Sequence, residues 1–200
     1  MFDEVVRARL APVLTPSALW LGRAGITPTQ VTVASFVVAL AAAGATATGL
    51  TGLGLALWLL SRVGDGLDGV LARAIGQASA RGGYLDITLD MAAYSLMVVA
   101  FAALHPELGI VWACILMGYV LSITTTLALA GAAERAHRTI SSTDRTYQFT
   151  PAVAEAGETT AVYVTWFLLP SLVGPVAWLW CGVLILSAIQ RSVLAWRSLD

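Results

Sequence analysis

The sequence predicts an all-α integral membrane protein, with six transmembrane helices after an N-terminal interfacial amphipathic helix and both termini in the cytoplasm. Three observations lead there. Of 200 residues, 58% are hydrophobic and only 12% charged, with mean hydropathy +0.81; a soluble domain is about half apolar and ~25% charged. The chain also holds about six apolar runs near the ~20 residues a helix needs to cross a ~30 Å hydrocarbon core. Finally, its arginines segregate to alternate connections between those runs. The length suits one domain spanning 1–200.

The first 25 or so residues precede the spans. In "FDEVVRARLAPVL", Val6, Leu10 and Leu14 recur at i, i+4, i+8 with charges between them, the pattern of a helix lying on the membrane surface. Pro12 and Pro16 limit its regularity, and the interspersed charges argue against a signal peptide. A six-helix bundle is expected over 29–190. Its spans are roughly Thr29–Leu50, Leu53–Ile75, Tyr84–Leu104, Leu108–Ala132, Ala152–Leu169 and Leu172–Ile189. Connections are short except for a polar loop from Glu134 to Thr150.

Orientation follows from charge. All 11 basic residues are arginine. Arg7, Arg9 and Arg23 precede the first span, Arg73 and Arg81 close the second, Arg135, Arg138 and Arg145 follow the fourth, and Arg191 and Arg197 end the sixth. The opposite connections, near Gly52, Pro106 and Pro170, carry none. The positive-inside rule then puts both termini in the cytoplasm. A net charge of −1 without a basic stripe excludes a nucleic-acid binder. Cys114 and Cys181 fall in apolar runs and read as small buried hydrophobes.

Against this background the carboxylates stand out. Asp65, Asp68, Asp86, Asp90, Glu155 and Glu158 lie within spans or at their cytoplasmic ends. An ionisable group at the centre of a membrane helix costs at least ~2.5–3.5 kcal/mol, so it marks function by default. Asp65 and Asp68 are i, i+3 on one face of the second span; Asp86 and Asp90 are i, i+4 on one face of the third. Two facing pairs make an oxygen-rich cage whose repulsion protons or cations must offset. Mg²⁺ or Mn²⁺ suits it; zinc does not, because no cysteine or histidine is near. Gly69 and Ala72 leave room for a ligand against the helix, with Arg73 placed to grip a phosphate. "GDGLDG", Gly64–Gly69, matches the dinucleotide fingerprint G-x-G-x-x-G, but it sits inside an apolar helix without the strand and sheet that fingerprint needs. Close helix packing accounts for Gly64 and Gly66 equally well.

The run "DGLDGVLARAIGQASARGGYLDITLD", Asp65 to Asp90, resembles the signature of the CDP-alcohol phosphotransferases, D-x2-D-G-x2-A-R-x8-G-x3-D-x3-D. Asp65, Asp68, Gly69, Ala72, Arg73, Gly82, Asp86 and Asp90 meet every fixed position. "ITPTQVT", Ile26–Thr32, resembles the "TPN-x-x-T" segment before the family's first span, with Thr29 replacing the asparagine. "TPAVAEAGET", Thr150–Thr159, resembles a "GLxExxET" segment of a bacterial subgroup. The resemblance implies a phospholipid-synthesis enzyme of a bacterial inner membrane, its site facing the cytoplasm. It would transfer a phosphatidyl group from a CDP-linked lipid, usually CDP-diacylglycerol, to a polar alcohol and release CMP. Two divalent ions ~3.5–4 Å apart can serve such a displacement. The resemblance further implies Asp65, Asp68 and Asp86 as metal ligands, Asp90 as ligand and as general base, and Gly69, Ala72, Arg73, Gly82 and Thr32 as contacts for cytidine diphosphate. Homodimers are common in the family.

Weaker signals stay open. Arg62, one turn before Asp65, pairs with a cluster aspartate or touches a substrate phosphate. Arg135 and Arg145 reflect topology or bind a phosphate on the acceptor, and Glu155 and Glu158 suit an acceptor pocket. His105 and His137 read as solvated loop residues, and the tryptophans, including Trp20, Trp58, Trp112, Trp178, Trp180 and Trp196, as interfacial anchors. A divalent-cation or proton-coupled transporter is the competing reading. The crowding of acids on one membrane face favours an enzyme, since carriers need access from both sides.

Overall fold

The computed structural model describes residues 2–135 and 156–199. Arg138, Arg145, Glu155 and His137 therefore lie outside the described residues, as does most of the polar loop. Every regular element among the described residues is helical, and the chain divides into two compact units, Met1–Glu107 and Leu108–Asp200.

The first unit comprises α1 (Phe2–Arg23), α2 (Pro28–Ala47), α3 (Thr51–Ala74) and α4 (Ala80–Leu104). Contrary to the sequence expectation, α1 runs unbroken through Pro12 and Pro16. Proline's fixed φ is compatible with a helix, and α1 is supported by packing along α3. Thr27 caps α2 with a capping box: its Oγ1 accepts from the Gln30 amide, the Gln30 side chain accepts from the Thr27 amide, and Pro28 opens the helix. Gly76, at φ +68°, ends the turn after α3, a conformation costly for any residue with a Cβ. Ser79 then caps α4 by accepting from the Gly82 amide at 3.1 Å.

Both α3 and α4 pack along α2, while their backbones make little direct contact with each other. The two carboxylate-bearing helices thus face each other chiefly through side chains. At Gly64, α3 lies close against α2: a Cβ there would overlap the Ser35 hydroxyl. That glycine is therefore a packing residue, whereas Gly66 has only Leu14 Cδ1 near its missing Cβ, at 3.8 Å.

A 3-10 turn at Pro106–Leu108 ends the first unit and begins the second, which comprises α5 (Gly109–Arg135), α6 (Ala156–Leu168) and α7 (Val173–Leu199), with another 3-10 turn at Pro170–Leu172. Here α5 and α7 pack side by side. Their core is aromatic and internally hydrogen-bonded. The Tyr119 and Tyr163 hydroxyls lie 2.8 Å apart, Trp180 Nε1 donates to Tyr119 Oη at 3.2 Å, and Trp166 stacks on Tyr163 with centroids 5.0 Å apart.

Two sequence expectations are corrected. Trp58, Trp112 and Trp180 are buried rather than interfacial, whereas Trp20, Trp178 and Trp196 are exposed; ring packing in the cores claims the first group. His105 is largely covered and meets Glu107 Oε1 at 3.2 Å. Among the described residues, four helical segments are long and apolar enough to cross a membrane: Pro28–Ala47, Ala80–Leu104, Pro106–Ala132 and Pro170–Val193. α3 is long enough at 24 residues, but Arg62, Asp65, Asp68 and Arg73 interrupt its apolar surface. α6 has 13 residues, about 20 Å of helix. Val37, Leu40 and Val99 of the first unit and Leu179 and Leu186 of the second are large apolar residues left exposed on these helices.

Candidate metal centre

Asp65 and Asp68 sit one turn apart on α3, and Asp86 lies near the start of α4. One carboxylate oxygen from each falls within 4.8 Å of the other two. Asp68 is the buried member, and Asp65 and Asp86 are half-buried. Three acceptor-only groups this close repel one another strongly. An all-oxygen donor set of this kind fits a hard divalent cation and not a soft one.

Thr32 reaches in from α2. Its hydroxyl bonds to the Asp68 carboxylate and lies 3.0 Å from the Pro28 carbonyl. A hydroxyl has one proton to give, so it orients Asp68 without neutralising it. Among the nucleotide-contact candidates, Thr32 is thus held against a cluster aspartate.

Asp90 is not one of the three grouped carboxylates. Its carboxylate accepts from Arg62 Nη1, and the same nitrogen lies 3.7 Å from Asp65. Arg62 therefore pairs with two signature aspartates, which favours the ion-pair alternative. Its guanidinium also lies 4.6 Å from the Trp58 ring centroid and 5.1 Å from that of Tyr94. Sequence reading missed both aromatics. The available signal was spacing: Trp58 lies one turn before Arg62, and Tyr94 one turn after Asp90.

The remaining signature residues line the same end of α3 and α4. The Arg73 guanidinium folds over Gly69, where an added Cβ would sit 3.4 Å from Nη1; the arginine itself occupies the space the glycine leaves. Ala72 is half-buried, and Gly82 lies in the first turn of α4. An open groove of about 520 Å³ is lined by Thr29, Arg81, Tyr84 and Leu85. Of the acceptor candidates, only the Glu158 side chain is described. Glu158 is half-buried on α6, Arg135 is the last residue of α5, and Arg145 and Glu155 lie outside the described residues.

Apolar helices carrying three carboxylates placed so that they could hold a metal ion define an integral-membrane protein with a candidate cation site. The sequence profile of the CDP-alcohol phosphatidyltransferases matches residues 25–186, and the chain belongs to that family. It is accordingly a phosphotransferase of phospholipid synthesis. It is 29% identical over 206 residues to the inner membrane protein YnjF of Escherichia coli K12, covering 96% of this chain and 100% of that one. A 77-residue stretch, 38% of this chain, is 43% identical to a bifunctional IPC transferase and DIPP synthase of Rubrobacter xylanophilus, and spans 18% of that protein. Among solved structures, the fold is shared with phosphatidylinositol phosphate synthase of Mycobacterium tuberculosis. The structure of that protein with CDP-DAG bound has a TM-score of 0.64 at 19% identity, covering 92% of this chain and 94% of that one. Its complex with manganese and citrate also has a TM-score of 0.64, at 20% identity, covering 92% and 88%.

Proposed function

We propose that the protein transfers the phosphatidyl group of CDP-diacylglycerol to a polar alcohol and releases CMP, at a site facing the cytoplasm of a bacterial inner membrane. The observation that carries this reading is the meeting of Asp65, Asp68 and Asp86 oxygens within 4.8 Å, from two helices and at signature positions. The fold shared with a synthase that binds CDP-DAG and manganese supports it.

In this reading Asp65, Asp68 and Asp86 hold divalent cations, two ions of Mg²⁺ or Mn²⁺. Such ions neutralise charge on the transferring phosphate. Gly69, Ala72, Arg73, Gly82 and Thr32 face the cytidine diphosphate. The acceptor hydroxyl gives its proton to the Asp90 carboxylate as its oxygen bonds to phosphorus. The bond from that phosphorus to the cytidylate oxygen breaks, and CMP leaves with the bonding electrons. Arg135, Arg145, Glu155 and Glu158 are assigned to the acceptor side. Six spans follow α1, which lies at the membrane surface, and both termini are cytoplasmic, as the arginine distribution supports. The chain works as one domain over 1–200, as a homodimer. Acyl chains stay in the bilayer during the reaction, which spares the ~0.8 kcal/mol per CH₂ of extracting them.

The test is CMP release from CDP-diacylglycerol by purified protein, with Mg²⁺ or Mn²⁺ and a panel of alcohols including glycerol 3-phosphate, inositol phosphate and serine. Release with at least one acceptor is expected. No release with any, together with cation uptake into liposomes, would replace this reading with a transporter.

A further inference from the structure

Asp86 and Asp90 share a face of α4, one turn apart, yet only Asp86 joins the three-oxygen cluster. Asp90 is held instead by Arg62, a residue outside the eight fixed positions of the signature. Arg62 is itself fixed from several directions. Besides Asp90 and Asp65, its Nε donates to Ser61 Oγ at 3.3 Å, and Trp58 and Tyr94 flank the guanidinium. Those two rings meet edge to face with centroids 5.6 Å apart. Trp58 and Tyr94 are buried, and the arginine side chain is 11% exposed. A planar guanidinium held by directional hydrogen bonds between aromatic rings has few alternative orientations.

We propose that Arg62 is a positioning residue for Asp90: it pins that carboxylate outside the three-oxygen cluster, reserving it for the acceptor hydroxyl rather than for metal. This rests on the transferase reading above. A free carboxylate one turn from Asp86 would be drawn onto a divalent cation as a further oxygen ligand. Its lone pairs would then be committed to the ion and unavailable to the acceptor proton. Arg62 competes for those lone pairs. It keeps its own protons throughout, because a guanidinium does not deprotonate in a protein, so the only proton moved is that from acceptor to Asp90. The aromatic pair supports this by holding the guanidinium between α3 and α4.

The decisive experiment titrates Mn²⁺ into the purified full-length protein without substrate, followed by electron paramagnetic resonance, alongside steady-state CMP release. Wild type, Arg62→Met, Arg62→Lys, Asp90→Asn and the Arg62→Met/Asp90→Asn double variant are compared. Arg62→Met should bind Mn²⁺ on the order of tenfold more tightly, because the released Asp90 carboxylate can add an oxygen ligand to the ion. Most of that gain should vanish in the double variant relative to Asp90→Asn. In Arg62→Met, kcat should fall roughly 10- to 100-fold, the range for groups that orient metal-site side chains, with KM for CDP-diacylglycerol little changed. Arg62→Lys should recover part of kcat. Unchanged or weaker Mn²⁺ binding in Arg62→Met would overturn the proposal. So would a raised KM at intact kcat, which would make Arg62 a substrate contact. If Arg62→Met does not fold, Arg62→Lys carries the same titration with a smaller tightening expected, and its absence overturns the proposal. A wild type that releases no CMP while its Arg62 variants still shift the Mn²⁺ titration would sink the transferase reading and leave the placement of Asp90 standing.

Discussion

Asp68 is the cluster carboxylate most removed from solvent, and Thr32 holds it from the α2 side. Asp68→Asn keeps the shape and removes a charge that both neighbouring carboxylates repel. It should reduce CMP release by at least ~100-fold, as loss of a metal ligand would, yet raise the melting temperature in EDTA. A lower melting temperature in EDTA would mean that Asp68 is compensated by something other than a bound cation. Gly69→Ala is milder: the new Cβ would meet Arg73 Nη1 at 3.4 Å, and the flexible guanidinium can move aside. The protein should fold normally while KM for the CDP-lipid rises several-fold, measured by CMP release; an unchanged KM would remove Arg73 from the phosphate site. At this scale the carboxylates were legible because charge in an apolar helix is costly. The pairing of Arg62 was legible only as one of two options. Trp58 and Tyr94 were not, since an aromatic in an apolar run reads the same whether it faces lipid, headgroups or a buried guanidinium.

Among the elements, α2 determines the site, because α3 and α4 both pack along it. Gly64 packs against Ser35, where an added methyl group would overlap the Ser35 hydroxyl and crowd its Cβ at 3.3 Å. Gly64→Ala should therefore lower stability by about 1–3 kcal/mol, the usual cost of overpacking, and activity should fall with it because Asp65 and Asp68 ride on the same helix. Ser35→Gly in the same chain should restore most of both, read by thermal unfolding in detergent and by CMP release. No rescue would mean that Gly64 matters for something other than this crossing. Apolar length located the helices after α1, but only four helical segments among the described residues are long and apolar enough to cross a membrane, and α7 continues to Leu199, well past its expected end at Ile189. It did not locate the partners: α3 and α4 are consecutive, but α2 lies alongside both, and periodicity carries no record of which faces meet. The two prolines of α1 misled for a related reason. Proline weakens a helix locally, and the supporting contact with α3 is long-range.

For the whole molecule, the ion is expected to act as a structural ligand as well as a chemical one. Asp65, Asp68 and Asp86 come from two helices whose backbones scarcely touch, so a cation shared among them cross-links α3 to α4 in the folded state alone. The signature spacing made this site legible, because carboxylates at fixed helical intervals report a common face. The acceptor side was not legible: its candidate residues are spread over α5, α6 and the segment between them, and arginines there serve topology and binding alike. Linkage gives the expected size of the metal effect. A ligand that binds only the folded state at 100 times its dissociation constant stabilises it by about 2.7 kcal/mol. Saturating Mn²⁺ should thus raise the melting temperature of the wild type over that in EDTA, with CDP-diacylglycerol absent. The Asp65→Asn/Asp68→Asn/Asp86→Asn variant should melt at one temperature with or without Mn²⁺. Asp90→Asn should keep most of the Mn²⁺-induced rise, because Asp90 lies with Arg62 and outside the cluster. A full response in the triple variant would place the ion elsewhere, and a lost response in Asp90→Asn would return Asp90 to the ligand set.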